Sequence, residues 1–244
     1  MLFVHGWAGD SHDWGWQLAH FTARTRVIAV DLRGHGSSTV TDGGYEARTF
    51  AADIAALLRS LCVPPVIAVG HSLGGLVVEA LAVEHAELVR AVVPVEPSYG
   101  YGDLHARPLI ELAERITEAN AHELTTALFE RADGPYTPEF FRVAHRRKML
   151  STPPRVVAET LVNIWLGPLQ FGRLAEAEAY VSRRSHPSLT ILSGRHADVA
   201  DWATERRKDG DEVLYLPLAH WVHQEAPNVV NAAIDAWIER QSGF

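Results

Sequence analysis

Hydrophobic positions along the first hundred residues alternate between short continuous runs and longer stretches with helical spacing. The short runs predict buried strands, because each is apolar throughout and too short for a helix; they are 1–4, 26–30, 66–70 and 89–95. Between these runs, apolar residues recur every three or four positions, which predicts helices at 14–21, 49–61 and 73–84. Strands that alternate with helices in this way predict a parallel sheet with helices on both faces.

The pattern changes after residue 97. No later run predicts a strand before residue 186; instead, prolines and glycines separate five predicted helices, at 108–118, 122–131, 138–150, 154–165 and 174–184. Strands return at 189–194 and 212–216, followed by a helix at 227–240.

These elements predict an α/β fold with a mostly parallel central sheet of about six strands, flanked by helices. The core of this fold comprises residues 1–97 and 186–244. Residues 98–185 form an all-helical cap inserted between the two parts of the core.

Composition narrows the classes of function. The chain has 244 residues and a formal net charge of -8, so nucleic acid and anionic membrane surfaces are unfavourable partners. It contains no run of about 18 apolar residues, so we expect no membrane span. Cys62 is the single cysteine, which excludes an intrachain disulfide. No basic segment precedes an apolar one at the start of the sequence, so we expect a cytoplasmic protein without a signal peptide.

A glycine-rich turn joins the predicted strand at 66–70 to the helix at 73–84. It reads Gly70-His71-Ser72-Leu73-Gly74, which is a Gly-x-Ser-x-Gly pattern. In that geometry the serine is exposed on a tight, strained turn, and the small flanking residues let the backbones approach each other. Ser72 is therefore the candidate nucleophile.

A serine nucleophile needs a positioned base, most often a histidine. His220 follows the last predicted strand and precedes the last helix, so it reaches the same edge of the sheet as Ser72. His223 is the nearby alternative. For the oxyanion hole, the predicted donors are the backbone N–H groups of Trp7, after the first strand, and Leu73, at a helix N-terminus. A metal site is not expected, because neither a His-x-x-x-His helix nor a carboxylate cluster is present.

Four ordered motifs resemble the α/β-hydrolase superfamily, in its branch with a serine nucleophile and a helical cap. They are His5-Gly6-Trp7, the turn at 31–38, the Ser72 turn and Ala219-His220-Trp221. The resemblance implies a triad of serine, acid and histidine, attack on a carbonyl, and no cofactor. Because position 72 is serine and not aspartate, the resemblance argues against epoxide hydrolases and haloalkane dehalogenases.

The acid of this triad has two candidates. The resemblance implies an acid after the strand that follows the cap, where Asp198 stands, with Asp201 one turn further on. Some relatives place the acid earlier, and Glu96, at the end of the predicted strand 89–95, matches that position. We favour Asp198 and keep Glu96 as the alternative acid.

Aromatic residues near the oxyanion turn and in the cap predict an apolar cavity for a small-molecule substrate. We expect Trp14, Tyr99, Tyr136 and Trp165 to contact that substrate. The predicted function is hydrolysis of a carboxylic ester or lactone of a hydrophobic or aromatic molecule through an acyl-enzyme. Two alternatives stay open: hydrolysis of a carbon–carbon bond in ring-cleavage products of aromatics, and a non-enzymatic ligand sensor on the same scaffold.

Members of the superfamily usually carry two further strands before the first strand found in this sequence. Without them, the strand at 26–30 is predicted to form an edge of the sheet, apolar and with few protective charges. We therefore expect either that the gene begins upstream or that another chain, as in a homo-oligomer, covers this edge.

Overall fold

A computed structural model describes residues 1–135, 137–194 and 197–241, apart from the side chains of Ala197, Asp198 and Ala200. Among these residues, six parallel strands form one sheet: β1 (Leu2–Val4), β2 (Ile28–Val30), β3 (Val66–His71), β4 (Val89–Val95), β5 (Leu189–Ser193) and β6 (Glu212–Leu216). Their order across the sheet is β2-β1-β3-β4-β5-β6. The predicted α/β fold with a parallel central sheet is confirmed.

Helices connect the strands. In chain order they are α1 (Gly15–Phe21), α2 (Ala47–Ser60), α3 (Leu73–Glu84), α4 (Asp103–Arg115), α5 (Ala121–Ala132), α6 (Glu139–Ser151), α7 (Pro154–Trp165), α8 (Leu174–Val181), α9 (Ala197–Glu205), α10 (Val222–Glu225) and α11 (Pro227–Arg240). Helices α4 to α8 all lie between β4 and β5, and we call them the insertion helices. That residues 98–185 form a separate cap domain stays a prediction.

The sheet separates two hydrophobic cores. Leu2 and Val4 of β1 face the core that contains α2, α3 and the insertion helices. Phe3, between them, faces the second core, together with Trp14 and with Trp237 of α11. Because successive side chains of a strand point to opposite faces, one three-residue strand contributes to both cores.

Helix α4 begins earlier than the sequence pattern suggested. The predicted helix starts at residue 108, and proline is favoured in the first turn of a helix. The helix instead begins at Asp103 and carries Pro108 in its interior. Proline lacks the N–H that would bond to the carbonyl of Leu104, four residues earlier.

Strand β2 lies at the end of the strand order, as the resemblance implied, and it pairs with β1. The Met1 ammonium donates a hydrogen bond to the carbonyl of Arg26 at 2.7 Å, which ties the start of β1 to the residues before β2. That another chain covers this edge stays a prediction. None of the helices described above has the length and apolar character that a membrane crossing requires.

Candidate active site

The turn between β3 and α3 holds Ser72 at the carboxyl end of the sheet. Ser72 has φ 53° and ψ -114°, a conformation that costs a non-glycine residue about 1–3 kcal/mol. A Cβ on Gly70 would lie 2.1 Å from the carbonyl oxygen of Gly74, and one on Gly74 would lie 2.2 Å from that of Val4. Neither contact can be accommodated, so both positions of the motif require glycine.

Ser72 opens onto a cavity of about 290 Å³ between the edge of the sheet and the insertion helices. We call it the Ser72 cavity. Most of its wall is apolar or aromatic: Trp7, Tyr101, Leu104, Pro108, Leu109, Leu128, Phe129, Leu161, Ile164, Trp165 and Trp221. The polar side chains that join them are His71, Ser98, His105 and His220. An apolar wall with a few convergent polar groups is typical of sites for small molecules.

His220 lies in the turn between β6 and α10 and lines the same cavity as Ser72. Its Nδ1 is 3.3 Å from Oε2 of Glu96. Because an ionised carboxylate only accepts hydrogen bonds, Nδ1 carries the proton in this contact. In that tautomer Nε2 carries a lone pair, which is the form of an imidazole that can accept a proton.

Glu96 follows β4 directly and is buried, with φ 46°. Its backbone N–H donates to the carbonyl of Ile191 at 2.7 Å, and its Oε1 accepts from the backbone N–H of Ser193. These bonds attach Glu96 to β5 while Oε2 faces His220. The alternative acid of the sequence analysis is thus in contact with His220, the predicted base. The side chain of Asp198, the favoured acid, lies outside the described residues.

His71 supports the backbone of His220. Its Nε2 donates to the carbonyl of His220 at 3.0 Å, and the two rings lie 4.6 Å apart. Burial, together with the nearby imidazole of His220, lowers the pKa of His71 to about 3. His71 is therefore neutral at ordinary pH and acts here as a hydrogen-bond donor.

His223, the alternative base, is fully buried away from the cavity. Its ring lies 4.5 Å from that of Trp14 and 4.4 Å from that of His71. Burial lowers the pKa of His223 well below its usual value. His223 belongs to helix α10, which carries it into the core, whereas His220 lies in the turn before that helix.

Ser98 is a polar contact of the nucleophile that the sequence analysis did not single out. Its Oγ is 2.9 Å from Oγ of Ser72, and its backbone N–H donates to the carbonyl of Ser72 at 3.2 Å. The available signal was its position two residues beyond Glu96, at the carboxyl end of a parallel strand.

The two predicted oxyanion donors come from the turn after β1 and from the start of α3. Trp7 follows β1 and lines the Ser72 cavity, and its indole Nε1 is held by the carbonyl of Val157 at 3.0 Å. Leu73 is the first residue of α3, where backbone N–H groups have no partner within the helix. That both N–H groups point at one oxyanion stays a prediction.

The predicted substrate-contacting residues lie in different places in the structure. Trp165 lines the Ser72 cavity. Trp14 does not reach it, because it packs on Phe3 at 5.1 Å on the opposite face of the sheet. Tyr99 is directed elsewhere too, because its hydroxyl donates to the buried carboxylate of Glu79 at 2.9 Å. Tyr136 lies outside the described residues.

Over the described part of the chain, no three His, Cys, Asp or Glu side chains come close enough together to hold a metal ion.

Comparison with known proteins places this site in context. A model of the Alpha/beta hydrolase family matches residues 1–233. A 2-(acetamidomethylene)succinate hydrolase from Mesorhizobium japonicum is 42% identical over 96 residues, covering 39% of this chain and 34% of that protein. An (E)-2-((N-methylformamido)methylene)succinate hydrolase from Acinetobacter baylyi is 23% identical over 256 residues. This match covers 98% of this chain and 90% of that protein. The structure of a thermophilic esterase from Thermogutta terrifontis aligns with a TM-score of 0.82 at 22% identity. The alignment covers 98% of this chain and 89% of the esterase chain.

The match to the first of these relatives spans about a third of its length, whereas the family model spans nearly the whole chain. The two relatives named here are hydrolases of succinate derivatives, and the aligned structure is that of an esterase. The fold, the serine turn and the extent of the match lead to one conclusion: the chain belongs to the alpha/beta hydrolase family.

Proposed function

We propose that this chain is a serine hydrolase that cleaves a carboxylic ester or lactone of a hydrophobic or aromatic small molecule. One arrangement carries the proposal. The Ser72 hydroxyl, on its strained turn, opens onto the same apolar cavity as His220, whose Nδ1 faces the buried carboxylate of Glu96.

In the acylation step, Nε2 of His220 takes the proton of Ser72 as Oγ attacks the substrate carbonyl carbon. The backbone N–H groups of Trp7 and Leu73 stabilise the oxyanion that forms. The imidazolium then gives its proton to the leaving oxygen, and the acyl group stays on Ser72.

In the second step, water replaces the leaving group. His220 takes a proton from the water molecule as it attacks the acyl carbonyl carbon, and then returns that proton to Ser72 Oγ. In a lactone, the leaving oxygen stays attached to the acyl group, so the product is a single hydroxy acid.

Glu96 fits the role of the acid that orients His220. Its Oε2 accepts from Nδ1 at 3.3 Å, which fixes the tautomer that leaves Nε2 unprotonated. A buried carboxylate also stabilises the imidazolium that forms in each step. Asp198 remains the alternative for this role.

The wall of the Ser72 cavity supports an uncharged, apolar acyl group. When the substrate covers these apolar side chains, binding is stabilised by roughly 25 cal/mol for each Å² of apolar surface that is buried. A substrate carboxylate placed against Leu109, Phe129 or Ile164 would lose hydration without a compensating partner there. Although two relatives are named for derivatives of succinate, which carry carboxylates, we propose an uncharged ester or lactone for this chain.

The proposal is tested with p-nitrophenyl butyrate, with Ser72→Ala as the matched control. We expect the wild-type protein to release p-nitrophenol and to take up a butyryl group on Ser72, observable as an increase in intact mass. Ser72→Ala, which lacks the nucleophile, should do neither. A chain that turns over no member of a broad ester and lactone panel would contradict the proposal and favour a ligand sensor.

The substrate class is tested by competition on the same enzyme. A medium-chain ester and its lactone are compared with a monoester of succinate and with ring-cleavage products of aromatics. We expect kcat/KM to be highest for the uncharged ester or lactone. A preference for the succinate monoester would contradict the apolar assignment, and a preference for a ring-cleavage product would favour carbon–carbon hydrolysis.

A further inference from the structure

A second hydroxyl touches the nucleophile. Oγ of Ser98 lies 2.9 Å from Oγ of Ser72, and Ser98 is partly exposed to the Ser72 cavity. The backbone N–H of Ser98 also donates to the carbonyl of Ser72 at 3.2 Å. The side chain and the backbone of one residue therefore both hold the serine turn.

Residues Glu96, Pro97 and Ser98, which we call the β4 turn, bring two polar groups to the site. Glu96 at its start faces His220, and Ser98 at its end faces Ser72. The turn is packed tightly against α3, because a Cβ on Gly75 would lie only 2.6 Å from Cβ of Pro97. Ser98 is thus fixed relative to the nucleophile by a rigid segment.

The chemistry sets the direction of the hydrogen bond between the two hydroxyls. Each hydroxyl has one proton, and the Ser72 proton must go to Nε2 of His220 for Oγ to attack. In the arrangement that can react, Ser98 therefore donates its proton to the bond, and Oγ of Ser72 accepts it.

We propose that Ser98 is a catalytic residue whose hydroxyl stabilises Ser72 Oγ as it leaves the acyl group. The proposal rests on the acyl-enzyme reaction proposed above. Water attacks the acyl carbonyl carbon while Nε2 of His220 takes one of its protons. The bond between that carbon and Oγ then breaks, its electron pair stays on Oγ, and Oγ takes the proton from His220. Ser98 keeps its own proton and donates a hydrogen bond to the charge that develops on Oγ.

The two steps depend on this bond in different ways. In acylation, a donor aimed at Oγ also stabilises the attacking oxygen and makes it less reactive, so the benefit is partly offset. In deacylation, Oγ is the leaving group and gains negative charge as the bond breaks, so the donor acts mainly in the transition state. Loss of the Ser98 hydroxyl should slow deacylation more than acylation.

The test compares Ser98→Ala, which removes the hydroxyl, with Ser98→Thr, which keeps it. With p-nitrophenyl butyrate we expect Ser98→Ala to lower kcat by about tenfold, the loss expected for one hydrogen bond to a charging oxygen. Since kcat/KM reports acylation, we expect it to stay within about threefold and KM to fall with kcat. Intact mass after a rapid quench should show accumulated butyryl-enzyme in Ser98→Ala that decays slowly, and Ser98→Thr should decay faster.

Two results would overturn the proposal. If butyryl-enzyme decays at the wild-type rate in Ser98→Ala, the hydroxyl does not assist deacylation. If kcat and kcat/KM fall equally without accumulated butyryl-enzyme, Ser98 acts through acylation or through the fold. Either result leaves the serine hydrolase assignment intact, whereas a wild-type protein that never carries a butyryl group on Ser72 would overturn both.

Discussion

Glu96 and Asp198 are the two carboxylates considered as partners for Nδ1 of His220. The resemblance to the superfamily favours Asp198, whereas the contact described by the structure is that of Glu96, at 3.3 Å. Glu96 is 2% exposed and its other oxygen is held by the backbone of Ser193. A carboxylate anchored in this way loses little freedom when it orients an imidazole.

The first prediction separates these two residues. Glu96→Gln keeps the size of the side chain but can present an N–H to Nδ1, which disfavours the tautomer that His220 needs. We expect kcat for p-nitrophenyl butyrate to fall by up to about 10⁴-fold, as for loss of a triad acid. Asp198→Asn is the matched variant and should retain most of the activity. The reverse pattern, with Asp198→Asn inactive and Glu96→Gln active, would assign the acid to Asp198.

Site residues defined by neighbours in the sequence could be predicted, whereas contacts between residues far apart in the sequence could not. Ser72 was predictable because its glycines lie within two residues and serve one turn. The contact between Glu96 and His220 joins residues 124 positions apart, so it depends on how β4 and β6 are placed in the sheet. Ser98 has no motif of its own, and its role became visible only when the β4 turn was positioned beside the serine turn.

Among the secondary-structure elements, α6 is tied to the segment between β1 and α1 by ion pairs. Nζ of Lys148 is 2.6 Å from Oδ1 of Asp13 and 2.9 Å from Oδ1 of Asp10. Burial acts to raise the pKa of Asp13, but the adjacent Lys148 ammonium outweighs it, so the pKa of that carboxyl is lowered. Nε2 of His145, also on α6, lies 2.7 Å from Oε1 of Gln224 on α10, the helix that follows His220. Helix α6 is thereby attached next to His220, the proposed base.

The second prediction concerns this ion pair. Lys148→Met keeps the apolar stem but leaves Asp13 buried without its cation, so we expect a loss of about 3–5 kcal/mol in the free energy of unfolding. In the double variant Asp13→Asn with Lys148→Met, the buried position no longer carries a charge. Asp10 also loses its cation, but its side chain is partly exposed to water, so most of the loss should be recovered. Urea unfolding of the wild type and both variants measures the difference. Equal stability of the single and double variants would contradict the interpretation.

Element boundaries and faces were harder to predict than element types. The apolar periodicity indicated the insertion helices, yet it placed the start of α4 at a proline that the helix accommodates internally. It also could not assign Trp14 to a face, because a short connection after β1 can pack on either side of a sheet. In the structure Trp14 packs on Phe3, whose ring faces the core that contains α1 and α11.

Across the whole molecule, burial of neutral histidines makes stability depend on pH. His35 and His71 are fully buried, and their desolvation, reinforced by nearby His5 and His220 respectively, lowers the pKa of each to about 3. In the unfolded chain their pKa returns to the ordinary value of 6.5. Between these two values the unfolded state binds protons that the folded state does not, so acid favours unfolding.

The third prediction follows from that difference. Below pH 6.5, each such histidine should lower the free energy of unfolding by about 1.4 kcal/mol per pH unit as the pH falls. His35→Gln fills the same buried position without a titrating group, so its free energy of unfolding should fall less steeply by about this amount. Above pH 7.5, where the imidazole is neutral in both states, the two slopes should coincide. Urea unfolding at half-unit steps from pH 5 to 8.5 provides the comparison, and parallel curves over the whole range would show that His35 takes up a proton without unfolding.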